Sequence, residues 1–152
     1  MSLLRIVYIS RMSLDGRSTP DEVTEILATS RRNNGRCGVT GALLVGPSGF
    51  AQVLEGPAER VGDTFERIQC DDRHDEVTVL SLGPVEQRQF GDWSMACCDG
   101  AEALIEAGVS LADLAAAGSE VAQPTLDLLR RTMRGDHVRT RTFGTASLAH
   151  FA

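Results

Sequence analysis

The alternation of apolar residues predicts an α+β fold: a ferredoxin-like βαββαββ sheet with two helices on one face and C-terminal helices capping the other. Three observations carry it. Leu3 to Ser10 is apolar on both alternating faces, which marks a central strand covered on both sides. Two segments with three-and-four apolar spacing, one after Thr19 and one after Pro57, separate the strands as amphipathic helices. Between them, two strand-like runs are joined by Gly46-Pro47-Ser48-Gly49, a turn of the hairpin class.

In the first strand Leu4, Ile6, Tyr8 and Ser10 share one face, and Leu3, Arg5, Val7 and Ile9 the other. Tyr8 is then a buried hydroxyl that needs a partner. After a loop from Met12 to Ser18, Thr19-Pro20-Asp21-Glu22 starts a helix: Thr19 as N-cap, Pro20 in the first turn, Glu22 closing a capping box. The helix is expected to run to about Asn33, with Gly35 stopping it. Val23, Ile26, Leu27, Ser30 and Asn34 share one helical face. Two polar groups therefore extend a buried stripe. A buried amide is costly unless hydrogen-bonded, so either the helix frays before Asn34 or something polar lies in the core beside it.

Val39 to Val45 reads as the second strand and Phe50 to Glu55 as the third. Phe50, Gln52 and Leu54 share one face; Ala51, Val53 and Glu55 share the other. With Phe50 and Leu54 in the core, Gln52 is a second buried amide; on an edge strand it would face water. Gly56-Pro57 opens the second helix, with Ala58, Val61, Phe65 and Ile68 on its apolar stripe and Asp71-Asp72-Arg73-His74-Asp75 ending it. Val77 to Val85 is the fourth strand. Phe90 to Cys98 contains the fifth, with Trp93, Met95 and Cys97 on one face. Ala101 to Ala107 and Leu111 to Ala117 read as short helices, and Pro124 to Arg134 as a longer one striped by Leu126, Leu129 and Met133. The chain thus divides into a sheet-and-helix unit at 1–98, a helical cap at 99–134 and a polar, flexible tail at 135–152.

At 152 residues the chain suits one core. A net charge of −6 without a basic tract argues against nucleic acid as partner. No apolar run is long enough to span a membrane, and Met1-Ser2-Leu3-Leu4-Arg5 lacks the layout of an export signal. The four cysteines show no CxxC spacing, so zinc is not expected and reduced thiols in the cytoplasm are, with a redox role for adjacent Cys97 and Cys98 as the minor reading. The fold aims Tyr8, Asn34 and Gln52 into one region. A phenol and two amides without charge suit a planar, polar-edged ring. They do not suit hydrolysis, which wants a carboxylate pair, a Ser/His set or a metal. His74, His137 and His150 stand apart from any such set. Arg31, Arg32, Arg36 and Arg73 read as surface cations or phosphate contacts.

These residues together resemble the BLUF family, blue-light sensors using FAD. The elements that carry the resemblance are Tyr8-Ile9-Ser10, Ser30 to Asn34, Val39-Thr40-Gly41, Phe50 to Gly56, Asp72-Arg73-His74, and Arg88-Gln89-Phe90 with Trp93-Ser94-Met95. They cover roughly residues 3–98 in order, with Ala51 where a bulkier residue is common. The resemblance implies a non-covalent FAD whose ring lies between the two helices. It implies that Tyr8 hydrogen-bonds Gln52 and that Gln52 bridges to the ring's N5 and O4 edge. Asn34, Asn33 and Ser30 are implied on the ring, Arg73 and His74 near the pocket or the phosphate end. Trp93 or Met95 would occupy the pocket beside Gln52. Light would drive transient electron and proton transfer from Tyr8, leaving Gln52 rearranged. No substrate is turned over, so a sensor and not an enzyme is implied: the short type without an output domain. It would act as a homo-oligomer on a downstream protein. The remaining alternatives are a flavin-free ligand-binding module of this fold and an acylphosphatase-like hydrolase; the latter lacks its Arg-bearing glycine loop here.

Overall fold

Strand β1 (Leu3–Met12) lies between two neighbours in a sheet that helices cover on both sides, which explains why both of its faces are apolar. On one side it pairs antiparallel with β3 (Gly49–Pro57), and on the other with β4 (His74–Val85). Strand β2 (Thr40–Val45) is antiparallel to β3. Strand β5 (Ala96–Asp99) adds to the far side of β2 in parallel, with Ala42 opposite Ala96. The sheet order is β4-β1-β3-β2-β5. This is the ferredoxin-like order with one strand added, and the computed structural model describes residues 2–12, 20–46, 49–70, 74–91, 96–99, 104 and 108–134.

Period-two alternation splits the sheet into two cores. Ile6, Tyr8, Leu43, Val45, Phe50 and Leu54 form one, against α2 (Ala58–Gln69), through Val61, Phe65 and Ile68, and the end of α1 (Pro20–Cys37), through Cys37. Val7, Ile9, Ala42, Leu44, Ala51 and Val53 form the other. It is closed by Leu104, by Leu111 and Leu114 of α3 (Leu111–Ala117), and by Leu126, Leu128 and Leu129 of α4 (Ala122–Arg134). The C-terminal helices therefore cover the face that the two-helix layout leaves bare. A capping box starts α3: Ser110 Oγ accepts from the Asp113 N–H, and the Asp113 carboxylate accepts from the Ser110 N–H. Among the described residues no helix is long and apolar enough to cross a membrane.

The element boundaries depart from the sequence reading in physically instructive ways. Helix α1 passes through Asn33 and Gly35 and ends at Cys37. A glycine inside a helix costs only about 1 kcal/mol, so it does not enforce a stop. The stop comes at Gly38, whose φ of 69° is the left-handed conformation that glycine adopts without penalty. The Val39 N–H then returns to the Asn34 carbonyl at 3.0 Å. Gly56-Pro57 both finishes β3, opposite Leu4 and Leu3, and leads into α2, with Pro57 at its N-cap. Pro57 is extended (φ −56°, ψ 136°), and a strand end tolerates its missing N–H. Ala58 is exposed, so the α2 stripe begins at Val61. Strand β4 starts earlier than Val77, because β1 extends to Met12 and draws residues from His74 into the ladder. Phe90 precedes β5 and lies buried in the crossing between β4 and β5. Helix α4 starts at Ala122, after a 3-10 turn at Gly118–Val121, with Pro124 in its first turn. The expected helix at 101–107 is described only at buried Leu104, and the tail at 135–152 lies outside the described residues.

Candidate functional site

The site is built on the two-helix face of the sheet. β1 and β3 pair with Tyr8 directly opposite Gln52, so both side chains leave the sheet on the same side. β3 is an inner strand, which removes the alternative of a water-facing glutamine: Gln52 is 3% exposed and Tyr8 0%. The Tyr8 hydroxyl donates a hydrogen bond to Gln52 Oε1. Two buried polar groups thus satisfy each other in a low-dielectric setting, where such a bond is stronger than in water. Phe65 of α2 meets the Tyr8 ring edge-on, with centroids 5.1 Å apart, and fixes the ring plane. Burial pushes the Tyr8 phenol well above its ordinary pKa, because the anion would lose its solvation. The phenol is therefore a neutral donor at any working pH.

Helix α1 contributes amides. Asn34 is 1% exposed, so the helix does not fray before it; the stripe carries a buried amide into the core. Asn34 has contacts of its own, yet its Oδ1 is buried without a hydrogen bond among the described residues. Ser30 and Asn33 are half-buried on the same helix. Gly41, on the Gln52 face of β2, carries no side chain because a Cβ there would strike the Val53 carbonyl. Ala51 is wholly buried and points to the opposite core, so its small size does not loosen the packing around Gln52. His74 is described in its backbone only, opposite Met12 at the start of β4. Arg73, Trp93 and Met95 lie outside the described residues. The structure thus brings Tyr8 and Gln52 into direct contact on adjoining strands, with Asn34 buried on α1.

One charged cluster was missed by sequence reasoning. Glu55 is 0% exposed, on the alternation of Ala51 and Val53. Its carboxylate accepts from Arg5 Nε at 2.8 Å, from the Gln89 N–H at 2.9 and 3.1 Å and from the Phe90 N–H at 2.7 Å. The alternation placed Glu55 on one face with Ala51 and Val53 but assigned it no burial. Its partners were invisible until the register placed Arg5 beside it.

Comparison with known proteins adds the family. A family model described as "BLUF: Sensors of blue-light using FAD" matches residues 3–96. The beta subunit of photoactivated adenylate cyclase from Euglena longa is 33% identical over 94 residues, 62% of this chain. This chain spans 11% of that relative's length, so the cyclase's activity is a statement about that protein. The dark-state structure of BlrB, a BLUF protein, superposes with a TM-score of 0.69 at 32% identity, covering 87% of this chain and 95% of that one. BlsA in its ground state gives a TM-score of 0.77 over 92% and 93% of the two chains; at 23% identity this speaks for the fold.

Proposed function

We propose a light-sensing mechanism from the premise that this chain belongs to the BLUF family, the sensors of blue-light using FAD. The observation that carries it is the buried hydrogen bond from Tyr8 to Gln52. The residues present fit a flavin ring: an uncharged phenol–amide pair, a second buried amide at Asn34, and a glycine in the adjoining strand. When bound, FAD supplies the absorption of blue light and an excited state that accepts an electron. Tyr8 would be the donor to that state, its hydroxyl proton passing to the flavin with the electron and both returning to Tyr8, so that no net oxidation remains. With Oε1 engaged by Tyr8, the Gln52 amide presents Nε2 as the donor for the ring's polar edge. Loss of the Tyr8 proton would remove the donor that holds Gln52, which would allow the amide to rearrange before electron and proton return to Tyr8. A rearranged Gln52 amide would present a different group to the ring's polar edge, which would read as a small red shift. Asn34, with Asn33 and Ser30, anchors the ring; Arg73 and His74 serve the pocket or the phosphate end; Trp93 or Met95 adjoins Gln52.

In this reading the chain is a sensor of the BLUF family and not an enzyme. Residues 1–98 form the sensor, 99–134 the cap that responds to it and 135–152 a tail. The response is read by a partner protein. Val79 and Leu82, 41% and 60% exposed on the outer strand β4, support a homo-oligomer, which light scattering tests. Cys37 and Cys70 are unpaired thiols, in keeping with a cytoplasmic location. The deciding experiment is spectroscopic: the purified protein is yellow, releases intact FAD on heating, and red-shifts reversibly under blue light. Colourless protein that FAD, FMN and riboflavin all fail to reconstitute overturns the reading.

A further inference from the structure

We infer that Glu55 is a positioning residue, a clasp that fixes where β5 docks and thereby couples the Tyr8–Gln52 site to the helical cap. The argument starts from topology. β4 and β5 lie at opposite edges of the sheet, so the chain between them must cross the other three strands. It crosses at one end, over a row formed by Gly83, Arg5, Glu55 and Thr40, which are register partners on β4, β1, β3 and β2. Strand by strand, this row holds the crossing. Arg5 Nη2 donates to the Gln87 carbonyl at 3.5 Å. The Glu55 carboxylate takes the Gln89 and Phe90 N–H groups. Arg88 Nη1 donates to Thr40 Oγ1 at 2.9 Å and to the Glu55 carbonyl at 3.3 Å.

A buried carboxylate without such partners would be strongly unfavourable, so its retention at 0% exposure marks a job that an apolar residue would not do. That job is directional. Two consecutive backbone N–H groups bound by one carboxylate fix both the position and the orientation of the chain at Gln89-Phe90. Phe90 is thereby inserted into the core under α3 and α4. After Gly91 the description resumes at Ala96, which begins β5 beside Ala42. Glu55 also stands three residues from Gln52 on the same strand, on the opposite face. A displacement at Gln52 thus meets a fixed point at Glu55, and movement is channelled into β5 and the cap rather than back along the crossing.

The inference rests on the photosensory reading only for its light readout, and the two fail separately. The test uses the FAD-loaded full chain, wild type against Glu55→Gln, which keeps the shape but loses the charge on Arg5 and one acceptor position. Three results are expected. Amide exchange at Gln89 and Phe90 rises by about tenfold or more in the dark, as a charge-assisted hydrogen bond is lost. The amplitude of the red shift is unchanged, since Tyr8 and Gln52 lie on the other face. The light-minus-dark exchange difference over residues 96–99 and 122–134, present in wild type, is lost, and dark recovery of the shift changes in rate. Deprotected Gln89 and Phe90 with wild-type recovery and a wild-type light-minus-dark difference would reduce Glu55 to a structural clip and overturn the coupling. Wild-type protection of those two amides would overturn the clasp itself. Should Glu55→Gln fail to fold, Arg88→Met loosens the crossing while leaving the carboxylate paired, and the same changes are expected in smaller measure. Absence of the red shift in wild type would sink the photosensory reading instead and leave the dark exchange result to stand alone.

Discussion

Tyr8 and Gln52 form a buried pair whose coupling is measurable as well as its function. Tyr8→Phe removes the donor and leaves Gln52 Oε1 buried at a residue only 3% exposed. An orphaned buried acceptor costs about 1–3 kcal/mol. Gln52→Leu removes the acceptor and orphans the Tyr8 hydroxyl, at a cost of about 1–3 kcal/mol for the same reason. The double variant leaves neither partner stranded, because apolar groups of similar shape replacing both are close to neutral. It should therefore lose much less than the sum of the two, and the shortfall, up to about 2–6 kcal/mol, is the coupling. For a chain of this length each kcal/mol moves Tm by about 2–4 °C. Denaturant unfolding of the FAD-loaded proteins, combined as a double-mutant cycle, gives the coupling directly. All three variants are expected to keep flavin and lose the red shift, since each breaks the same relay. Additivity within about 0.5 kcal/mol would show that the two groups do not depend on one another. A normal reversible shift in Gln52→Leu would refute the relay.

The remaining predictions address the rest of the molecule. Leu129, fully buried beneath α4, should cost about 2–5 kcal/mol on truncation to alanine, read from the urea midpoint; a loss under about 1 kcal/mol would mean that the cap is not part of the core. Asn34→Ala should lower the flavin-to-protein ratio after gel filtration, because it removes a buried amide from the ring's surroundings; full retention would remove Asn34 from the site. Tyr8 is the chain's single tyrosine, so carbon-13 at its Cζ gives one resonance, which should stay that of the neutral phenol until the protein unfolds in alkali. The sign follows from the raised folded pKa: this contribution to stability is complete below the unfolded tyrosine pKa of about 10 and declines as pH rises beyond it. A phenolate signal in still-folded protein below that pH would contradict the burial.

Much of this protein was legible in its sequence because hydrophobic alternation is a local signal. The two faces of Leu3 to Ser10, the hairpin between the second and third strands and the α3 span Leu111–Ala117 each declare themselves within about ten residues. Strand alternation made Tyr8 and Gln52 candidates for the inside and helical spacing did the same for Asn34; the structure buries all three. Sequence read boundaries less well, since they depend on partners. Gly35 looked like a stop, but tertiary packing carried α1 on to Gly38. His74 entered β4 only because β1 was long enough to receive it. What the tertiary structure alone decided is non-local. That Tyr8 sits opposite Gln52, rather than one pair along, is a matter of register between strands 44 residues apart. That β5 lies parallel to β2 obliges the chain to cross the sheet, and only the crossing gives Glu55 its partners at Arg5, Gln89 and Phe90. The face that Glu55 shares with Ala51 and Val53 is readable from alternation; the groups that neutralise its charge arrive from distant parts of the chain, and no local pattern encodes them.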